Sequence, residues 1–248
     1  MKKKIKVLQV IPRLGYGGAE TGCYDLAHFL PEQGYKSYIA TSGGELLKFI
    51  NKKKVKIFKL PVQSKNPILI LFNAVIISFI ILVYNINIVH ARSRAPAYSC
   101  FLATRFTFRK FVTTFHGTYN FNNKIKKFYN SIMVRSDLVI AGSNFIFSHI
   151  NDNYGNFFLE NRRKLLVIFR GINTNYFNSQ KILPIKLDKF SKQNNIDRNK
   201  IIILLPGRLT YWKGQKIFIE AIKLLYEKSD IPPFEAIILG SDQGRSVY

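Results

Sequence analysis

The feature that most constrains the fold is a regular alternation of short apolar runs with segments of helical periodicity along most of the chain. Runs such as 6–11, 111–115 and 138–141 have the length and composition of buried strands. The segment 19–30 instead repeats apolar residues at three- and four-residue spacing, as on one face of a helix. Strands that alternate with helices pair in parallel, because each helix returns the chain to the same end of the sheet. The sequence therefore predicts an α/β fold with a mainly parallel, doubly wound sheet.

The predicted elements, in chain order, continue almost to the last residue. Strands are predicted at 6–11, 37–41, 56–60, 86–90, 111–115, 138–141, 165–168, 201–205 and 234–239. Helices are predicted at 19–30, 45–53, 67–84, 96–104, 125–136, 143–154 and 215–227.

A change of composition after Arg170 divides the chain. Residues 173–199 are rich in Asn, Lys and Ser, which is typical of a linker. We therefore predict a Rossmann-like N-terminal domain at 1–172 and a linker at 173–199. Residues 200–248 hold a single βαβ unit, which is short for a domain, so we expect the beginning of a second Rossmann-like domain there.

The charge distribution points to an anionic partner. The chain has 38 Lys and Arg against 14 Asp and Glu, and residues 46–136 contain sixteen basic residues and no acidic one. Such a positive field attracts nucleotide diphosphates, anionic lipid headgroups or nucleic acid. Codon bias toward Lys is the alternative explanation, although it does not remove carboxylates. Because no RNA- or DNA-binding motif is present and the phenylalanines have core spacing, we predict no nucleic-acid partner.

The two cysteines, Cys23 and Cys100, belong to no metal-ligand or disulfide pattern, which fits a reducing cytoplasm. The apolar run near the N-terminus is too short for a secretion signal, so no export is expected. A longer apolar segment at 68–84 reaches the lower length limit of a membrane span but contains Asn73 and Ser78. We predict a helix that packs on the sheet and also contacts a bilayer surface, with a membrane span as the alternative.

Three motifs carry candidate chemistry. The first is the glycine-rich turn at 15–20, between a strand and a helix, where Gly17 and Gly18 would let a ligand approach the helix N-terminus. It is not a dinucleotide fingerprint, because Glu20 takes the place of the last glycine. The alternative is a plain strand-to-helix turn.

The second motif places His116 directly after a strand, where ligands bind in open α/β sheets. A histidine at this position can donate to a sugar hydroxyl or stabilise a developing charge. The alternative is a histidine that serves only the structure. His90 also ends a strand, and the following Arg92 and Arg94 are expected to line the same crevice.

The third motif lies at 206–214, between the strand at 201–205 and a helix. Arg208 and Lys213 are five residues apart across a turn, a spacing that lets a guanidinium and an ammonium grip one diphosphate. The alternative is a pair of solvated surface charges.

Together these motifs resemble those of the GT-B glycosyltransferases that build lipopolysaccharide, capsule and phosphoglycolipids from nucleotide sugars. The segments that carry the resemblance are 11–13, 17–20, 90–94, 113–117, 141–144, 170–173 with Phe177, 207–208 and 213–214. They span nearly the whole chain in the family's order.

The resemblance implies a hexosyltransferase-type enzyme that retains anomeric configuration and needs no metal or other cofactor. It implies that the donor sugar contacts His116 as the catalytic residue. The implied donor-binding residues are Gly17, Gly18, Arg208 and Lys213. The implied acceptor or crevice residues are Arg13, His90, Arg92, Arg94 and Ser143. The implied partners are a nucleotide sugar, a glycolipid or polysaccharide acceptor and an anionic membrane surface, with the protein peripheral on the cytoplasmic face of the inner membrane.

One departure from the pattern concerns the donor side. The family's pair of glutamates, with seven residues between them, is expected beyond Gly240, and the sequence ends before it. We therefore expect a C-terminally truncated donor domain, with a partner chain able to supply the rest. The alternative to an active transferase is a non-catalytic remnant, or one half of a split enzyme, that binds a glycolipid acceptor.

Overall fold

The computed structural model describes residues 4–119, 121, 123–161 and 163–242. The chain divides into two compact units, Met1–Gly171 and Ile172–Tyr248. Residues 243–248, which the sequence assigns to the beginning of the second domain, lie outside the described residues.

The first unit is built on a seven-stranded sheet in the order β3-β2-β1-β4-β5-β6-β7. All six pairings between neighbouring strands are parallel, which confirms the predicted α/β class. The strands are β1 Lys6–Val10, β2 Lys36–Thr41, β3 Val55–Lys59, β4 Ile88–Ala91, β5 Lys110–Phe115, β6 Leu138–Ala141 and β7 Lys164–Val167. The helices are α1 Gly18–Glu32, α2 Pro67–Tyr84, α3 Arg94–Thr107, α4 Lys124–Asn130 and α5 Asn144–Asn161.

Two hydrophobic clusters hold the first unit together. The larger one includes buried side chains of α2, α3 and α5, such as Ile77, Ala97 and Ile150. The smaller one joins α1 to the first strands through residues such as Cys23 and Ile39. Burial of both helix layers against the sheet supplies the main favourable free energy of folding.

The chain reverses its direction across the sheet between β1 and β4. It first builds β1, β2 and β3 toward one edge and then returns to place β4 on the other side of β1. This reversal opens a crevice at the carboxyl ends of β1 and β4, the position at which open α/β sheets bind ligands.

Two predicted helices differ in the structure. The helix expected at 45–53 is a short 3-10 helix at Glu45–Phe49, preceded by Gly43 and Gly44 with positive φ. A Cβ at Gly44 would lie 2.4 Å from the Leu14 backbone, so the chain turns tightly there. The helix expected at 125–136 instead stops at Asn130 and continues as a 3-10 helix.

The second unit contains α6 Pro184–Gln193, β8 Ile201–Pro206, α7 Gln215–Tyr226 and β9 Phe234–Leu239. The helix α6 lies within the segment 173–199, which had been predicted as a linker. The strands β8 and β9 pair in parallel, with α7 between them in the chain. Side chains of β8, such as Ile201 and Leu204, are about half exposed.

Candidate functional site

The crevice between β1 and β4 brings together residues that are distant in the sequence. The loop after β1 leads into the N-terminus of α1 at Gly18, and Arg92 follows β4. His116 follows β5 and Arg170 lies three residues beyond β7. Parallel strands therefore deliver two cations, an imidazole and a helix N-terminus to one edge of the sheet.

Arg92 is a buried cation, with 7% of its surface exposed. Its Nε donates to Oε1 of Gln9 at 2.8 Å, and Gln9 Nε2 donates to the Cys23 carbonyl at 3.1 Å. Burial lowers the pKa of Arg92, although a guanidinium stays charged at neutral pH. Among the described residues no carboxylate lies within ion-pair distance of it. Within the described part of the chain, this positive charge therefore has no ion-pair partner.

Arg170 lies across the first turns of α1. Its Nη2 donates to Thr21 Oγ1 at 3.3 Å. A Cβ at Gly18 would be 2.8 Å from Arg170 Nη1, and one at Gly22 would be 3.0 Å from Nη2. The small residues on this face of α1 thus let the guanidinium approach the helix closely.

The close approach of Arg170 to the first turns of α1 places two positive groups, the guanidinium and the helix N-terminus, side by side. A helix N-terminus carries a partial positive charge and free N–H groups, so a second cation beside it is unfavourable unless an anion joins them. Glu20, in the first turn of α1, is the nearby carboxylate, and it lies against Gly17. The first unit therefore offers an anion-binding crevice built from Arg92, Arg170 and the α1 N-terminus.

His116 faces this crevice as a neutral imidazole. Burial, followed by the charges of Arg92 and Arg170, lowers the pKa of His116 to about 4. Its Nε2 is buried without a hydrogen-bond partner within the described part of the chain. At neutral pH the ring can donate one hydrogen bond and accept another, as a sugar hydroxyl requires.

His90 is deeper and already engaged. Its Nε2 lies 2.7 Å from Thr114 Oγ1, and burial, followed by Arg92 and His116, lowers its pKa well below the usual value. It packs beneath the crevice and supports it. Sequence reasoning grouped His90, Arg92 and His116, and the structure brings these three together.

Three other predicted residues lie in different surroundings. Arg94 donates to Asn130 Oδ1 at 2.8 Å and stacks on Tyr119, with 4.4 Å from guanidinium to ring centre. Arg13 forms an exposed ion pair with Glu45. The hydroxyl of Ser143 accepts a hydrogen bond from the amide of Ile146, in the first turn of α5. Contacts with the acceptor stay predictions for Arg13, Arg94 and Ser143.

The second unit presents its own cationic loop. The Lys213 side chain packs against Gly207, because a Cβ at Gly207 would lie 3.7 Å from Lys213 Cδ. Gln215 Nε2 donates to the Arg208 carbonyl at 2.8 Å and fixes the loop. Gly214, with φ of 75°, precedes the N-terminus of α7. Lys213 and the Arg208 carbonyl thus lie beside the N-terminus of α7, a kind of position at which anions bind, and the grip of the two cations on a diphosphate stays a prediction.

Close packing explains the glycines of this loop. A Cβ at Gly240 would lie 1.8 Å from the Gly207 carbonyl oxygen, so only glycine fits after β9. The amide of Gly207 donates to the Leu239 carbonyl at 2.8 Å, and that of Leu209 donates to the Ser241 carbonyl at 3.1 Å. The loop that carries Arg208 is therefore tied to the end of β9.

Two residues of the first site were missed as site residues by sequence reasoning. Gln9 interrupts an apolar strand, and a buried polar residue in that position is a signal of a specific partner. Arg170 follows β7, and its position just after a strand was the available signal. Their partners, Arg92 and Thr21, are 83 and 149 residues away, which local patterns do not reveal.

Comparison with known proteins gives a family and several structural neighbours. The model of glycosyltransferase family 4 matches residues 16–176. An uncharacterized glycosyltransferase of Methanocaldococcus jannaschii is 26% identical over 246 residues, covering 88% of this chain and 59% of that protein.

The solved structures share the fold. A glycosyltransferase from Rickettsia africae has a TM-score of 0.80 and 41% identity, over 98% of this chain and 62% of that one. Anabaena HepE, solved in complex with UDP-glucose, has a TM-score of 0.74 and 19% identity, over 98% of this chain and 62% of that one. The chain spans about three-fifths of the length of these relatives. The sheet and these neighbours confirm the predicted GT-B-like fold class.

Proposed function

From the premise that the chain belongs to glycosyltransferase family 4, we propose that it takes part in transferring a sugar from a nucleoside diphosphate donor to a cell-envelope glycolipid or polysaccharide. The observation that carries the proposal is the crevice of the first unit. There His116 stands as a neutral imidazole beside Arg92, Arg170 and the α1 N-terminus. This arrangement suits a substrate that combines sugar hydroxyls with a phosphate or other anionic group.

Each unit has a distinct chemical task in this proposal. In glycosyl transfer a new bond joins the sugar to an acceptor oxygen while the bond to the nucleoside diphosphate breaks. Negative charge develops on the leaving diphosphate, and fixed cations stabilise such charge most effectively. We assign this task to Arg208 and Lys213, beside the N-terminus of α7.

The first unit positions the reacting sugar and the acceptor. The neutral ring of His116 hydrogen-bonds the donor sugar near the reacting carbon, while Gly17 and Gly18 allow close approach of phosphate to the α1 N-terminus. Arg92 and Arg170 attract an anionic group of the substrate. His90 and Gln9 are positioning residues, since they contact Thr114 and Arg92 rather than the crevice opening.

The finer features of the reaction also belong to the proposal. Uridine diphosphate glucose is the first donor to test, because the structural neighbour HepE was solved in complex with it. Retention of anomeric configuration, transfer without a metal, and a cytoplasmic location at the inner membrane are expected from the resemblance of the motifs.

The test is a transfer assay with the full chain. The protein is incubated with labelled UDP-sugars and a lipid extract, and label in the lipid fraction and free UDP are both measured. We expect His116→Ala to lower transfer by about a hundredfold, the scale seen when one preorganised transition-state contact is removed. Arg92→Gln tests the cation of the crevice and is expected to lower transfer. Its matched control is Arg198→Gln, which removes an exposed ion pair with Asp188 and is expected to leave transfer unchanged.

The assay also separates the alternative of a non-catalytic binding module. Binding of the lipid acceptor without UDP release or transfer would favour that module and contradict the proposal. Transfer that is insensitive to both His116→Ala and Arg92→Gln would mean that the reaction takes place elsewhere.

A further inference from the structure

The outer face of α2 carries a stripe of large apolar side chains that the rest of the described chain does not cover. The exposed fractions are 68% for Val75, 64% for Phe79 and 62% for Leu82. Ile68, Leu71, Phe72 and Val83 are also more than one-third exposed. These positions recur at three- and four-residue spacing, so they share one side of the helix. Contiguous exposed apolar surface of this kind marks an interaction site.

The helix does not cross a membrane in this fold, although it is the one described helix long and apolar enough to do so, with a mean hydropathy of 2.6. It connects β3 to β4, and both strands belong to the same parallel sheet. Its inner face is buried at Ala74, Ile77 and Ile81. The helix is therefore fixed along the protein surface, with its core face inward and its apolar stripe outward.

Two phenylalanines extend the apolar surface beyond the end of α2. Arg109 Nη2 donates to Oδ1 of Asn85, the residue that ends α2, at 3.1 Å. Phe106 and Phe108, just before Arg109, are 72% and 93% exposed.

Phe108 also has a φ of 55°, a left-handed conformation that is unfavourable for a bulky residue. A strained backbone that holds an aromatic ring in water is more readily explained by a contact than by stability.

Cations lie near both ends of this apolar surface. At the C-terminal end of α2, Lys6 Nζ donates to the Tyr84 carbonyl at 2.7 Å and Lys56 Nζ donates to the Tyr84 hydroxyl at 2.8 Å. Arg109 stands beside Asn85, and Lys65 precedes the other end of the helix. No Asp or Glu occurs anywhere in residues 46–136, so the rim is free of acidic residues of this segment.

We propose that this surface, the α2 face, docks on a lipid bilayer that contains anionic headgroups. An apolar stripe rimmed by cations matches an interface in which acyl chains meet negative charge. A second copy of the chain is a poor match, since a two-fold contact through this face would oppose two basic rims. This inference rests on the proposed function, because docking of the α2 face would bring the crevice to a membrane-anchored acceptor.

The test is sedimentation of the full chain with vesicles, without donor or acceptor. We expect binding to phosphatidylglycerol–phosphatidylcholine vesicles and much weaker binding to pure phosphatidylcholine. Raising the salt from about 0.1 M to about 1 M shortens the screening length from about 10 Å to about 3 Å and should release the protein. Phe79→Glu should lower the partition coefficient about tenfold or more, because it removes a membrane-buried aromatic ring.

The matched control is Leu159→Glu, on α5, where the native side chain is 81% exposed and lies outside the α2 face. Both variants replace exposed residues, so both should fold, which circular dichroism checks. Equal vesicle binding by both variants, or binding that ignores lipid charge, would overturn the proposal. The proposal would also be overturned if light scattering showed that the native chain is a stable dimer and that only Phe79→Glu is a monomer.

The outcome is separable from that of the proposed function. Vesicle binding without any transfer would contradict the function and leave the α2 face as a membrane surface. Transfer to a water-soluble acceptor without vesicle binding would support the function and contradict the α2 face.

Discussion

At the scale of single residues, Arg92 and Gln9 form a buried polar pair, and in the proposed function this pair serves a ligand at the expense of stability. Replacing Gln9 by Leu leaves the buried Arg92 Nε without this partner and removes the additional hydrogen bond that the Cys23 carbonyl accepts beside its α1 bonding, and we expect a loss of about 3 kcal/mol. Arg92→Met removes the buried charge but leaves the buried Gln9 Oε1 without this donor, so we expect a smaller loss, about 1 kcal/mol. Urea unfolding followed by circular dichroism measures both.

The double variant sharpens this comparison. With both Gln9→Leu and Arg92→Met, no charge is left buried, and the chain should regain about 2 kcal/mol relative to Gln9→Leu alone. A large loss of stability from Arg92→Met by itself would mean that Arg92 serves the fold and not a substrate.

The depressed pKa of His116 predicts a pH dependence of stability. An unfolded histidine titrates near 6.5 and the folded His116 near about 4. Between these values protons bind the unfolded chain preferentially, so stability is complete above about pH 6.5 and falls as the pH is lowered toward about 4. Denaturation at several pH values should show His116→Gln losing less stability in this window, by about 3 kcal/mol. An identical slope in both proteins would contradict the buried, neutral ring.

Sequence position was sufficient to place His116 and Arg92 at the same edge of the sheet, because the ends of parallel strands meet there whatever their separation in the chain. It was insufficient for Gln9, since one polar residue barely changes the pattern of a buried strand. For Arg13 and Arg94 the same positional argument does not give the side-chain contacts, and their roles toward an acceptor stay predictions. Side-chain direction then decides the contacts, and these two cations pair with Glu45 and with Tyr119 and Asn130.

At the scale of elements, the boundary of α3 gives a prediction with opposite effects on stability and binding. Phe108 ends α3 in the left-handed conformation, for which glycine is preferred. Phe108→Gly should therefore raise the free energy of unfolding by about 1 kcal/mol. The same change should weaken binding to anionic vesicles, because it removes an exposed ring of the α2 face.

The two measurements make this prediction specific. A variant that is more stable and still binds vesicles normally would place Phe108 outside the interface. A variant that is less stable would mean that the ring packs on the protein and that its strain has a structural cause.

Elements differ in how completely their sequence determines them. The bounds of α2 were predicted in full, because Pro67 suits a first helical position and Asn66 caps the helix through its side chain. In place of the helix expected at 45–53 the structure has a short 3-10 helix, and the residue before it, Gly44, has a positive φ and packs against the Leu14 backbone in a tertiary contact. Apolar spacing predicts a helical face, but it does not predict such a contact.

At the scale of the whole molecule, the two units differ in how much apolar surface they bury. In the first unit both faces of the sheet are covered, and strand residues such as Leu8, Ile39 and Val89 are fully buried. In the second unit Ile201 and Leu204 of β8 are about half exposed, and so are apolar residues of α7 such as Ile219. The βαβ pattern predicted β8, α7 and β9 as it did the strands of the first unit, because it depends on spacing and not on how many layers cover a sheet, whereas α6 lies in the segment predicted as a linker.

This difference predicts unequal local stability. Backbone hydrogen bonds that are covered by few buried apolar contacts open at lower free energy than those in a packed core. We expect amides of β8 and β9 in the isolated chain to exchange with deuterium orders of magnitude faster than those of β1 and β4. Because both pairs of strands are parallel and hydrogen-bonded in register, pairing geometry is matched and burial is the variable. Equal protection in the two units, measured in one exchange experiment, would mean that the second unit is stabilised by contacts other than its own packing. In that case the Arg208 and Lys213 loop would be held rigidly enough to bind a diphosphate without further support.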